Sequence, residues 1–134
     1  MADHTLDLKK VKSDMFILGG TTDHITPWQA CYRSTQLFGA KNVEFVLSQA
    51  GHMQAILNPP GNPKAKFWRN AKGQTPADVQ EWKKGTEEIA GSWWPHWREW
   101  IGQRSGESLA APKKLGSRKY RPLCPAPGTY VMER

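Results

Sequence analysis

Asp23, His24 and His52 are the residues of this chain whose types and surroundings could do chemistry. Asp23 and His24 close the segment Gly19-Gly20-Thr21-Thr22-Asp23-His24, and His52 opens Gly51-His52-Met53-Gln54. Each segment follows an apolar run, Met15 to Leu18 before the first and Val43 to Leu47 before the second. A carboxylate that accepts a hydrogen bond from an imidazole N–H stabilises the imidazolium formed when the ring takes up a proton. A histidine so partnered is a general base matched to neutral pH, and a nucleophile–histidine–acid triad uses such a pair. Taken singly, each residue has an ordinary alternative. Asp23 can bond its own backbone two residues on, and His52 can be a surface or capping histidine. His24 either contacts a substrate or caps the helix that follows. The pair is more specific than its members, because Asp23 and His52 lie 29 residues apart, the span of one helix and one strand.

The elements that must position them are legible in outline. Met15 to Leu18 is continuously apolar and ends at two glycines, the pattern of a strand covered on both faces. Thr26-Pro27 predicts a helix start, with threonine as cap, running from Pro27 to Phe38 and stopped by Gly39. Its Trp28, Cys31, Tyr32 and Thr35 recur at helical spacing and should face the sheet. Val43 to Leu47 is the next strand. This strand–helix–strand order implies a right-handed parallel crossover, which sets the C-terminal loops of adjacent strands side by side. An acid in one such loop and a histidine in the next match the later half of an α/β-hydrolase triad. The fold class is therefore α/β, the last strands of a parallel sheet with flanking helices.

Further on, His52 to Leu57 reads as a short helix, ended by Asn58-Pro59-Pro60-Gly61-Asn62-Pro63. Lys64 to Gly73 reads as an irregular basic loop. Thr75-Pro76-Ala77-Asp78 reads as another helix start, followed by Val79 and Trp82. Ser92 caps a last helix through Gln103, with Trp93, Trp97, Trp100 and Ile101 along one face. Leu6 to Val11 is either an edge strand or a lead-in. The organisation is thus residues 1–104 as a piece of a catalytic domain and residues 105–134 as a basic, Pro- and Gly-rich tail.

With 134 residues, the chain is short for a hydrolase-type sheet, and two or three strands are the expected content. The net charge of +7 suits an anionic partner or a solvated basic surface. Nucleic-acid binding through a basic, tryptophan-rich chain is disfavoured, because Trp93, Trp97 and Trp100 line up as a helix stripe that suits core packing or an apolar partner rather than a stacking platform. Cys31 and Cys124 are far apart and neither stands on a Gly-x-Cys-x-Gly turn, which points to structural roles in a reducing cytosol. Neither histidines nor cysteines show paired metal-ligand spacing. The acid-bearing start Met1 to Lys10 does not read as a signal peptide. No apolar run is long enough to span a bilayer.

Longer motifs carry a resemblance. Gly-Thr-Thr-Asp-His-Ile-Thr-Pro-Trp (20–28) resembles the acid motif of polyhydroxyalkanoate synthases, and Gly-His-Met-Gln-Ala-Ile-Leu-Asn-Pro-Pro-Gly-Asn-Pro-Lys (51–64) resembles their histidine motif. Gly-Ser-Trp-Trp-Pro-His-Trp-Arg-Glu-Trp (91–100) and Ala-Pro-Gly-Thr-Tyr-Val (126–131) are similar to the C-terminus of that family. The likeness runs from about Leu6 onward. It implies an acyltransferase with an α/β-hydrolase core that polymerises 3-hydroxyacyl-CoA thioesters into a storage polyester, carrying the chain on a cysteine. It also implies that His52 is the base for that cysteine and that Asp23 assists His52 or helps activate the incoming hydroxyl. His24 is then a candidate substrate contact. By the same resemblance no cofactor is needed, CoA arriving as part of the substrate, and the protein works in the cytoplasm at polyester granules. The family's cysteine elbow, oxyanion loops and N-terminal domain have no counterpart here, so the chain alone is expected to be inactive. The alternative is a non-catalytic remnant that binds a full synthase or a granule surface.

Overall fold

The computed structural model describes residues 5–133; Met1 to His4 and Arg134, and with them part of the signal-peptide reading, lie outside the described residues. Two compact units divide at Arg104 and Ser105. In the first, four strands alternate with four helices. They are β1 (Met15–Gly20), α1 (Trp28–Arg33), β2 (Val43–Ser48), α2 (His52–Ile56), β3 (Lys66–Asn70), α3 (Val79–Lys84), β4 (Thr86–Ala90) and α4 (Trp94–Gly102). The second, residues 105–133, is mostly irregular, with one 3-10 turn at Tyr130–Met132, and its Lys113, Lys114, Arg118, Lys119 and Arg121 are exposed.

The sheet runs β1-β2-β3-β4. β1 and β2 pair in parallel with their ends level, from Met15 opposite Val43 to Gly20 opposite Ser48. β3 and β4 are antiparallel additions, so the sheet is mixed, which corrects the expectation of a wholly parallel one. It also has four strands where two or three were expected. β3 occupies the stretch read as a basic loop. Arg69 falls opposite Glu87 and pairs with it at 3.6 Å, while Lys66, opposite Ala90, reaches diagonally to Glu88 at 3.1 Å, so charges on the two strands meet across the pair. Phe67 is the buried inward residue between them.

Alternation along β2 builds two cores. Phe45 and Leu47 pack with Tyr32 of α1 and Trp82 of α3 on one face. Val46 packs with Phe67 and with Trp93, the residue leading into α4, on the other. Helices therefore cover both faces of the sheet, as α/β architecture requires. As expected, Tyr32 and Thr35 are buried, and Trp28 and Cys31 pack against the core.

Local differences have local causes. α1 begins at Trp28 with Pro27 as its cap, and the α-helix ends at Arg33, tightening into a 3-10 turn over Ser34–Gln36. Ser and Thr are weak helix formers, and last turns commonly tighten this way. Leu8–Lys10 is a 3-10 turn rather than an edge strand, with Asp7 accepting from the Lys9 N–H. α3 is capped by Asp78, which accepts from the Gln80 N–H at 2.7 Å. Ser92 accepts from the Trp94 N–H at 3.0 Å. On the last helical segment the inward stripe is Trp93, His96 and Trp100, each against Phe16, whereas Trp97 is 43% exposed. A stripe reading that counts only apolar letters passes over His96.

Candidate active site

The level ends of β1 and β2 create the site. Past Gly20 and Ser48 the two chains turn together, and backbone hydrogen bonds stitch their loops. Thr21 N donates to Ser48 O at 2.9 Å and Thr22 N to Ala50 O at 3.2 Å. Thr21 Oγ1 accepts from the Ala50 N–H at 3.1 Å. The approach is close enough that a Cβ on Gly20 would sit 2.8 Å from Ala50 O and 2.9 Å from the Ala55 Cβ. Ala50 itself has φ of 103°, a conformation that costs a side-chain-bearing residue energy and that the surrounding packing must hold. These contacts fix Asp23 and His52 relative to one another before their side chains meet.

Those side chains do meet. His52 Nδ1 lies 2.8 Å from Asp23 Oδ2. The Asp23 carboxylate accepts on every side. Oδ1 takes the N–H groups of Ile25 and Thr26, both at 2.9 Å, and Oδ2 takes the Thr26 hydroxyl at 2.7 Å besides the imidazole. Donors surrounding the ionised form hold its pKa well below the usual carboxylate range, the Thr26 backbone N–H being the largest cause. At neutral pH Asp23 is thus a pure acceptor, and the hydrogen between it and His52 must sit on Nδ1. In the neutral ring Nε2 then carries the lone pair, and among the described residues no group bonds it. The Asp23 side chain is 7% exposed and that of His52 38%, so the acid is screened and the base is open. Beside them is a cavity of about 120 Å³ lined by Gly19, Gly20, Thr26, Ala55 and Ile56 among others.

The turn reading and the partner reading of Asp23 are therefore both realised, one on each carboxylate oxygen. Thr26, expected as a helix cap, instead anchors Asp23. The spacing Asp-x-x-Thr, an Asx-turn pattern, was the available signal for it. Gly20 and Thr21 also position the site, and only the loop pairing reveals that. His24 is exposed and, among the described residues, has no hydrogen-bond partner. Cys31 Sγ lies 3.6 Å from Thr26 O, while Cys124 is exposed in the second unit; both are free thiols. Among the described residues no three His, Cys, Asp or Glu side chains gather as a metal site, and no helix is long and apolar enough to cross a membrane.

A second histidine–carboxylate pair went unnoticed in the sequence. His96 Nε2 bonds Glu44 Oε1, with the ring 5.9 and 6.2 Å from the rings of Phe16 and Phe67. Glu44 belongs to β2, and nothing in the spacing of 44 and 96 announces the contact.

A histidine and its carboxylate thus stand together past the C-terminal ends of adjacent parallel strands, where α/β sheets place functional groups. Comparison with known proteins narrows this. The chain is 55% identical over 129 residues to poly(3-hydroxyalkanoate) polymerase 1 of Ectopseudomonas oleovorans and 50% identical to polymerase 2 of the same organism. To the poly(3-hydroxyalkanoate) polymerase subunit PhaC of Cupriavidus necator it is 40% identical over 126 residues. These matches take in 94–96% of the chain but 21–22% of each relative, so the chain spans about a fifth of their length. No profile of a known protein family matches it. The resemblance to polyhydroxyalkanoate synthases is borne out: nearly the whole chain corresponds to one portion of these polymerases.

Proposed function

We propose that this chain supplies the base and the acid of a poly(3-hydroxyalkanoate) polymerase active site, as the C-terminal portion of its α/β-hydrolase-type domain. The observation that carries the reading is the 2.8 Å contact of His52 Nδ1 with Asp23 Oδ2, which leaves Nε2 free beside a cavity. Residues up to Arg104 form the catalytic piece and residues 105–134 its basic tail. The substrate is a 3-hydroxyacyl-CoA thioester, no further cofactor enters, and the work is done in the cytoplasm at a polyester granule.

In this reading the nucleophile is a cysteine on a segment of the polymerase that this chain does not span. His52 Nε2 takes the thiol proton, and the sulfur attacks the thioester carbonyl. The carbon–sulfur bond to CoA breaks, and the departing thiolate receives the proton back from the imidazolium. In the elongation step His52 removes the proton of the attacking hydroxyl, whose oxygen forms the ester bond as the acyl carbon–cysteine sulfur bond breaks, and the imidazolium returns the proton to the departing cysteine thiolate. Asp23 stabilises each imidazolium and holds the ring in the required tautomer. The exposed His24 contacts the CoA-linked substrate. Alone, the chain is inactive.

Complementation tests this. The chain is co-expressed with the remaining four-fifths of one of the relatives as a separate polypeptide, and CoA release from a 3-hydroxyacyl-CoA is followed. Activity that requires both polypeptides and disappears with His52→Ala is the expected result. Turnover by the chain alone, or activity indifferent to His52→Ala, overturns the proposal.

A further inference from the structure

The surface around α2 and α4 is apolar well beyond the site. Met53, Ile56, Leu57 and Trp97 are 62, 50, 59 and 43% exposed. Scattered apolar side chains are ordinary, but Ile56, Leu57 and Trp97 border two adjoining hollows of about 240 Å³ each. Ile56, Leu57, Trp93, Trp94 and Trp97 wall the first; Pro60, Trp94, Pro95, Trp97 and Arg98 wall the second. Ile56 also lines the cavity at His52, so the apolar path starts at the reacting histidine.

The walls of the first hollow are hydrocarbon for a structural reason. Trp93 Nε1 donates to Ala55 O at 2.8 Å, and Trp94 Nε1 donates to Ile56 O at 3.0 Å. These bonds satisfy carbonyls at the end of α2, and they turn the only polar atom of each indole inward. An extended peptide laid in the hollow would find no acceptor for its N–H groups, whereas an ester chain has no N–H to satisfy. Each hollow is also smaller than the roughly 300–1,000 Å³ of ordinary ligand sites, a size for a thread-like chain.

We propose that α2 and α4 form a track for the acyl chain of the product, an apolar polyester segment leaving His52 along Ile56, Leu57, Trp94 and Trp97. This rests on the polymerase reading above. The test is binding, without turnover. The full chain is titrated with a dissolved 3-hydroxybutyrate trimer while tryptophan fluorescence and methyl NMR shifts are followed. Expected are saturable binding, shifts at Ile56 and Leu57 but not at exposed Leu37, and at least tenfold weaker binding in Ile56→Ser and Trp97→Ser. The shift map needs no variant and stands even if a substitution unfolds the chain. Absence of saturable binding overturns the track, as does shift at Leu37 equal to that at Ile56. Binding of an amphipathic helical peptide in place of the trimer assigns the surface to a protein partner and overturns it too. Since complementation reads His52 separately, trimer binding with failed complementation refutes the polymerase role alone, and the converse refutes the track alone.

Discussion

Asp23→Asn separates charge and proton placement from shape. The substitution is nearly isosteric, and the structure fixes how the amide must lie. Oδ1 accepts from two backbone N–H groups, those of Ile25 and Thr26, both at 2.9 Å. Turning the amide so that its NH₂ met them would oppose donor to donor twice, so the oxygen stays there. The NH₂ then takes the place of Oδ2, between the Thr26 hydroxyl and His52 Nδ1. The hydroxyl can turn to accept, but Nδ1 can accept only if it gives up its hydrogen. The neutral ring therefore moves its proton to Nε2, the atom that acts as base in the proposed mechanism. Reversal of this kind in other triads lowers turnover about 10⁴-fold, and a loss of about 10³- to 10⁴-fold is expected in the complemented polymerase. The tautomer can be read directly in the isolated chain from two-bond ¹H–¹⁵N correlations of His52. Wild type should show Nδ1–H, and the variant Nε2–H. A variant that keeps Nδ1–H, or that retains complemented turnover within about tenfold of wild type, refutes the reasoning.

Other perturbations give equally definite outcomes. Gly20→Ala forces a Cβ against Ala50 O and the Ala55 Cβ and should cost about 1–3 kcal/mol in urea unfolding. The same substitution should lower complemented activity, because it pushes apart the loops bearing Asp23 and His52. Ala50→Val should destabilise by about 1–3 kcal/mol and Ala50→Gly should not, since only glycine adopts φ of 103° freely. Trp82 is fully buried, and Nε1 has no partner among the described residues. Trp82→Ala should cost about 3–5 kcal/mol, while Trp82→Phe should cost clearly less, because it also removes the unsatisfied N–H. Acidification should weaken the fold through Asp23 and Asp14. The latter is held low by Asn42 and Arg104. Both folded-state values lie below the ordinary 3.8, so their stabilisation is complete above that pH and is lost as the pH falls beneath it. Thermal melts between pH 5 and pH 2 should show that decline, and a shallower one in Asp23→Asn.

What the sequence disclosed follows from which interactions are local. Met15 to Leu18 and Val43 to Leu47 were readable because strands covered on both faces are largely apolar whatever their partner, Glu44 being the one charged residue in either run. β3 and β4 were not, since Lys66-Phe-Trp-Arg-Asn and Thr86-Glu-Glu-Ile-Ala owe their conformation to one another. Their charges are part-exposed and pair across the strands, Lys66 with Glu88 and Arg69 with Glu87. Trp28, Tyr32 and Thr35 were placed correctly by helical spacing, whereas the last helix was read one contact out of phase. There His96 joins the inward stripe by virtue of Glu44, a residue 52 positions away. Asp23 and His52 were legible as a pair because parallel strands with level ends put consecutive loops side by side.

The two histidine–carboxylate pairs show why residue type alone does not define a site. His96 and Glu44 have the same chemistry as His52 and Asp23, yet their surroundings differ, and under the proposed function so do their uses. His96 spends Nε2 on Glu44 and lies between Phe16 and Phe67, with its side chain 19% exposed and that of Glu44 21%. Such a pair stands over the middle of the sheet and ties α4 to β2. His52 instead spends Nδ1 on its acid, leaves Nε2 without a hydrogen-bond partner among the described residues, and lines the cavity. Its acid is fixed by two backbone N–H groups and a hydroxyl from the same turn, so the carboxylate need not move when the ring takes a proton. That preorganisation is what a general base requires, because the imidazolium meets its counter-charge already in place. Glu44→Gln should accordingly leave complemented turnover close to wild type while Asp23→Asn lowers it about 10³- to 10⁴-fold, a contrast in activity between two carboxylate-to-amide exchanges.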